Sequence, residues 1–326
     1  MKILITGSNG QLGQELLHGV WKREKSLEGA GLKLIGLSRS ELDISSATQT
    51  ENAVSKFGPS LVINAAAYTA VDQAETERKA AFAVNRDGPA NLARSCARAK
   101  IPLIHISTDF VFDGNRKSPY PETAPISPLG AYGESKAAGE EAVRAELTEH
   151  IILRTSWLYG AYGGNFVKTM LRLGKERDIL RIVSDQYGCP TSSTDLAEAT
   201  LLIAKHIRNS GKARWGTYHF CGRGITSWHG FAEKIFEFAR KYGENRIPRV
   251  QPIPTAEYPT PAIRPAFSAM DCGQIQKHFG IKNRAWEKSL ENVICRIYSG
   301  EMAMKESGFL LRPRLSCHFF CLRRFR

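Results

Sequence analysis

Residues 2–13 read KILITGSNGQLG, a short apolar run, Lys2–Thr6, that breaks into glycines at Gly7, Gly10 and Gly13. The helical spacing Leu12, Leu16, Leu17, Val20 follows at once. Glycines between a buried strand and a helix permit a tight turn and let backbone N–H groups at the helix N-terminus approach a pyrophosphate. A lone glycine triplet is weak evidence, but strand before and helix after is the context that a dinucleotide site needs.

The strand pattern recurs at 32–37, 61–65, 101–107 and 151–154, apolar at nearly every position. Helix-length stretches at about 46–57, 72–84, 86–99 and 134–149 lie between them. Fully apolar strands alternating with helices predict a parallel sheet covered on both faces. The fold class is therefore α/β: a doubly wound Rossmann domain over residues 1–156, with a smaller mixed α/β domain over 157–298 closing on the substrate. Further helices are expected near 166–175, 194–207, 228–242 and 286–298.

Composition narrows the class. The 326 residues are 42% apolar and 24% charged, ordinary globular usage. No apolar run approaches the ~18 residues of a membrane span, and the N-terminus lacks a secretory pattern. Seven cysteines without a CxxC pair fit reduced thiols, so a cytoplasmic protein is expected. The net charge of +13 is scattered except in residues 299–326, whose six Arg or Lys against two Glu contribute +4. Charge without a nucleic-acid motif points away from nucleic acid and toward anionic small molecules. The CHFFC cluster of that tail, 317–321, is not a metal-ligand spacing, and no function attaches to the tail.

The reactive constellation is Tyr132-x-x-x-Lys136 with Thr108 upstream. Residues four apart share a helix face, so the phenol and the ammonium can act on one substrate. A nearby cation is expected to lower the tyrosine pKa from ~10 toward neutrality, as suits a general acid–base catalyst. Thr108 ends a strand at the carboxyl edge, where open α/β sheets bind ligands. After the second strand, Ser38-Arg39 stands where an NAD-selective site places an acid, so NADPH is the expected cofactor, with NADH also accepted. Asp43 and Ile44 can flank the adenine. His105, inside a strand, reads as a packed core histidine.

With these residues in hand, the chain resembles the extended short-chain dehydrogenase/reductases, and within them the dTDP-4-dehydrorhamnose reductase family. The resemblance covers about residues 1–298, through GSNGQLG (7–13), NAAAYTAVDQAE (64–75), STDFVFDG (107–114), YGESK (132–136), RTSWLYG (154–160), NFVKTMLRL (165–173), DQYGCPT (185–191) and YPTPAIRP (258–265). It implies reduction of the 4-keto group of a nucleotide sugar, dTDP-4-dehydro-L-rhamnose, whose product feeds polysaccharide synthesis. By the same resemblance, Gly10, Gln11 and Leu12 contact the pyrophosphate, Asp43 and Ile44 the adenine side, and Ala67, Tyr68 and Thr69 the nicotinamide half. Tyr132 protonates the C4 oxygen, Lys136 binds the nicotinamide ribose and depresses the Tyr132 pKa, and Thr108 holds the keto oxygen. Asp109 and Trp157 contact the sugar.

The chain departs from the family in three places. Phe110 stands where a tyrosine is common, and Ser38 replaces an acid found in some members. Some members bind Mg²⁺ through three glutamates at a dimer interface; here Glu15 and Glu287 match but Thr194 takes the third position, a poor hard-cation set. No metal is therefore expected, and a homodimer stays compatible without one. Two other readings share the fold: a non-catalytic regulatory subunit of the methionine adenosyltransferase type, and a nucleotide-sugar epimerase or dehydratase. The intact Thr108, Tyr132 and Lys136 favour the reductase.

Overall fold

A computed structural model describes residues 1–19, 31–210 and 213–306. Val20 and the CHFFC cluster lie outside the described residues. A six-stranded, all-parallel sheet forms the larger unit: β1 (Lys2–Thr6), β2 (Lys33–Leu37), β3 (Leu61–Asn64), β4 (Leu103–Thr108), β5 (His150–Thr155) and β10 (Gly216–His219), in the spatial order β10-β5-β4-β3-β1-β2. Between β5 and β10 come the short strands β6 (Leu158–Tyr159), β7 (Ile179–Val183), β8 (Tyr187–Gly188) and β9 (Thr191–Ser192). After β10 come β11 (Thr226–Ser227) and β12 (Arg249–Ile253). The helices are α1 (Gln11–Gln14, widening into a π-type turn to Gly19), α2 (Ala47–Phe57), α3 (Arg78–Phe82), α4 (Gly88–Ala99) and α5 (Ala131–Glu146). They continue with α6 (Phe166–Glu176), α7 (Ser193–Ser210), α8 (Trp228–Lys241), α9 (Gly273–Phe279) and α10 (Trp286–Glu306).

Alternation along the strands explains the two covered faces. Ile3 and Ile5 of β1, with Ile63, Ile104 and Ile151, pack on Leu12 and Leu16 and on Leu196, Leu201 and Ile203 of α7. Leu4, Val62, Leu103 and Ile152 face the other way, onto Val54 of α2, Leu92 and Cys96 of α4 and Val143 of α5. A separate core of Tyr159, Val167, Met170, Phe231, Ile235, Trp286 and Leu290 builds the smaller unit. The sheet unit draws on the second half of the chain as well: β10 pairs parallel with β5, and α7 and Ile275 of α9 join the first core.

Helix α5, which carries Tyr132 and Lys136, starts earlier than expected, at 131 rather than 134. Gly130 is its extended N-cap, and the Glu75 carboxylate accepts a hydrogen bond from the Ala131 N–H at 2.9 Å. That contact satisfies one of the orphan donors of the first turn from 56 positions away. The expected helix over 72–84 is broken into a short turn, α3 and a widened turn at Ala83–Asp87, and α4 follows directly.

Candidate active site

The sheet order reverses between β1 and β3, so the crevice for a ligand opens at their carboxyl ends. Gly7 there has φ +69°, and a Cβ on it would stand 2.7 Å from the Ala66 Cα. A Cβ on Gly13 would stand 2.3 Å from the Gly7 carbonyl oxygen. The turn is thus folded tightly on itself and on the end of β3, and no side chain caps the start of α1. This cradle fits a pyrophosphate on free backbone N–H groups. Leu12 is 4% exposed and its side chain belongs to the core, so only its backbone can serve such a ligand. Gln11 accepts a 3.1 Å hydrogen bond from the Asn165 amide, which ties the turn to the loop before α6.

On the adenosine side, Arg39 is exposed beside the end of β2. Ser38 is buried and donates to the Glu41 carboxylate through both its hydroxyl (2.6 Å) and its N–H (2.8 Å). Asp43 accepts from the Ser45 hydroxyl at 2.7 Å, which holds its carboxyl below the usual range. The Ile44 side chain is 3% exposed and packs under Gly88, where α4 closes on it, which leaves its backbone to flank a ligand.

Thr108, Tyr132 and Lys136 come together at the end of β4. The Thr108 hydroxyl hydrogen-bonds to Tyr132, and Phe110 meets the Tyr132 ring edge-on at 5.4 Å. Burial pushes the Tyr132 phenol up to about 12, the Thr108 hydrogen bond opposing it. This reverses the expected depression by Lys136, whose ammonium is turned to the Ile106 carbonyl at 2.7 Å. Burial also pulls Lys136 down to about 8, with the Glu140 carboxylate resisting. Tyr68 packs beside Tyr132 and donates to Glu77, and its backbone is clamped by the Asn85 amide at 2.8 and 3.0 Å. Ala67 and Thr69 flank Tyr68 on this loop, Ala67 partly buried and Thr69 exposed.

Asp109 is 1% exposed, its carboxylate set among protein groups. Its Oδ1 accepts from Thr108 at 3.1 Å, Ser268 bonds it as well, and burial raises its pKa to about 6. Trp157 has φ +46° and stacks on Trp228, ring centroids 3.6 Å apart, at the edge of the smaller core. His105 is fully buried, its Nδ1 accepting from the Asn64 amide nitrogen at 3.0 Å in a chain that continues to Thr6. Burial holds it far below its usual pKa, in keeping with a core histidine.

Three structural partners were not legible in the sequence reading: Asn85, Glu75 and the buried ion pair under Lys136. Glu140 accepts from Arg154 at 2.8 and 2.6 Å, from Ser107 at 2.6 Å and from Arg144 at 2.7 Å. One signal was available, since Glu140 lies one helical turn past Lys136 on the same face.

The residues available for Mg²⁺ do not fit it. Glu15 is fully buried, and its Oε1 accepts from Arg296 at 2.5 Å. The Arg296 guanidinium also covers the Tyr162 ring at 4.6 Å, so an arginine already supplies the positive charge that Glu15 needs. Among the described residues, no group of three His, Cys, Asp or Glu side chains is placed to share an ion. Chelation with EDTA is therefore expected to change neither activity nor melting temperature, checked by parallel assays and thermal denaturation.

A glycine turn at the switch point of a doubly wound sheet, with Thr, Tyr and Lys at a strand end, defines a nicotinamide-dependent oxidoreductase of the short-chain class. Comparison with known proteins narrows this. The profile of the family described as RmlD substrate binding domain matches residues 1–299. A dTDP-4-dehydrorhamnose reductase of Aggregatibacter actinomycetemcomitans is 45% identical over 294 residues, 90% of this chain and 98% of the relative. The chain belongs to the dTDP-4-dehydrorhamnose reductase family. Among solved structures, a reductase of that name from Clostridium acetobutylicum matches with TM-score 0.82 at 39% identity, covering 91% of this chain and 99% of its own. The Bacillus anthracis enzyme, solved in complex with NADP, matches with TM-score 0.80 at 38% identity, over 90% and 99% of the two chains. A UDP-glucose 4-epimerase from Thermus thermophilus, at 20% identity, shares the fold alone. No helix among the described residues is long and apolar enough to cross a membrane.

Proposed function

We propose that this chain reduces the 4-keto group of dTDP-4-dehydro-L-rhamnose to give dTDP-L-rhamnose, with NADPH as the preferred reductant. The observation that carries the reading is the convergence of Thr108, Tyr132 and Lys136 beside the glycine cradle, in a chain of this family. The bound nicotinamide supplies hydride to the carbonyl carbon. Tyr132, held as the neutral phenol by burial, donates its proton to the carbonyl oxygen. The Thr108 hydroxyl orients that oxygen and then stabilises the phenolate left on Tyr132 by hydrogen bonding. The Lys136 ammonium holds the ribose hydroxyls, and Gln11 and Leu12 hold the pyrophosphate through backbone N–H groups, while Gly10, its N–H donated to the Gly7 carbonyl at 3.0 Å, lets the ligand approach the turn. Trp157, stacked flat on Trp228, offers an aromatic wall to the sugar. The test is oxidation of NADPH followed by absorbance with enzymatically generated dTDP-4-dehydro-L-rhamnose. A folded, NADPH-binding protein with no turnover would overturn the reading.

Two expected results belong with it. The Lys136 cation is present below about pH 8 and is lost above it, while Tyr132 stays protonated to about 12. Hence kcat/KM for NADPH should fall as pH rises through about 8, and a pH profile with no alkaline limb there would count against the lysine's role. Arg39 is the exposed cation at the 2′-phosphate position. Replacing it with Ala should raise KM for NADPH about tenfold, or about 1.4 kcal/mol, and leave NADH unchanged in parallel steady-state assays.

A further inference from the structure

Behind the substrate side of the cleft lie three thiols that the reaction does not use. Cys221, 1% exposed, follows β10, and its sulfur stands 3.6 Å from that of Cys272, which precedes α9 and is partly exposed. Both sulfurs point at the Met270 carbonyl, at 3.6 and 4.0 Å. Cys189, of the 185–191 stretch, is 4% exposed and shares a hydrogen bond with Cys221. We propose that Cys221 and Cys272 form a thiol-modification site, a dithiol that a small-molecule disulfide converts to an intrachain disulfide.

The geometry supports each part of that step. Cys272 is the accessible member, so its thiolate attacks the reagent, forms a mixed disulfide and releases one small thiol. Cys221 then attacks the Cys272 sulfur and expels the second small thiol, which leaves with the proton that Cys221 gives up. Two protein thiols are oxidised and one small disulfide is reduced to two thiols. The sulfurs need to close from 3.6 Å to ~2.05 Å, a movement within reach of side-chain rotation and a small backbone shift. The new bond would draw on residues 268–272, whose Ser268 holds Asp109 beside Thr108. Oxidation is therefore expected to raise KM for the sugar nucleotide several-fold and to be undone by reductant. That effect rests on the proposed reductase activity, whereas the cross-link itself does not.

The experiment equilibrates the full chain in oxidised and reduced glutathione mixtures, traps free thiols by alkylation and maps the peptides by mass spectrometry. The expected product is a Cys221–Cys272 peptide about 2 Da lighter than the sum of its reduced parts. It should form in Cys189→Ser and be absent in Cys272→Ser and Cys221→Ser. The map also separates this pair from Cys317 and Cys321. Arrest at a glutathione adduct on Cys272, pairing of Cys221 with Cys189, or full alkylation in oxidising buffer would each overturn the site. A complete cross-link with unchanged KM in active protein would overturn its link to the cleft, and a mass map is readable even where no reductase activity exists.

Discussion

Tyr132→Phe is expected to lower turnover about a thousand-fold while leaving the fold and NADPH binding in place, within the ~10²–10⁴ range for loss of a general acid. The substitution removes one oxygen. The ring keeps its edge-on contact with Phe110 and its place beside Tyr68, so packing changes little. What is lost is the only phenol hydrogen-bonded to Thr108 among the described residues, and with it the donor for the carbonyl oxygen. Lys136 keeps its own place, one ammonium N–H on the Ile106 carbonyl and the others left for the ribose. Single-turnover kinetics with pre-bound NADPH measure the step directly. Turnover within tenfold of the unaltered protein would move the proton donor elsewhere, with Asp109 and its pKa of about 6 the nearest group.

The direction of the Tyr132 shift bears on which chemistry the site favours. The spacing Tyr132-x-x-x-Lys136 suggests a phenolate eased toward neutrality by its neighbour. The folded chain instead has both groups moved by desolvation toward their neutral forms, the phenol up to about 12 and the ammonium down to about 8. A phenol kept protonated at neutral pH suits donation, the direction a reduction requires. Burial of this kind depends on Phe110, Thr108 and Asp109 arriving from β4, and no local spacing records it. The same holds for the start of α5, which a carboxylate on Glu75 fixes from outside the helix. It holds also for β10: the stretch GTYH has little apolar pattern of its own and becomes a strand by pairing with β5. By contrast, β1, β3, β4 and β5 were legible because each is buried on both faces and carries an apolar run, and β2, only partly buried at the sheet edge, still shows Leu34, Ile35 and Leu37. The glycine turn was legible for a related reason, since Gly7 and Gly13 stand where a Cβ would meet backbone.

The largest stability effect is expected from Glu140→Ala, a loss of about 3–5 kcal/mol, the range for removing one partner of a buried ion pair. Against a total of about 5–15 kcal/mol, that loss takes a large share of the folding free energy. Arg154 is 1% exposed, and its remaining contacts, the Phe112 ring at 5.2 Å and His219 at 3.3 Å, carry no negative charge; the Glu122 carboxylate acts on it only through its field, being bound to the His219 N–H at 3.2 Å. His219 is itself held neutral by burial and by Arg154, down to about 3. Arg144 and Lys136 would then face Arg154 without a carboxylate among them. Lys136 would also lose the group that resists its desolvation, so any residual activity should lose its alkaline limb at a pH below about 8. The control is Glu140→Leu combined with Arg154→Met, which removes both charges and keeps apolar volume. If the cost of the single change is the stranded guanidinium, the double variant should recover most of the stability in urea denaturation. A double variant as unstable as Glu140→Ala would instead place the cost in the Ser107 hydrogen bond and the packing of α5 against β4.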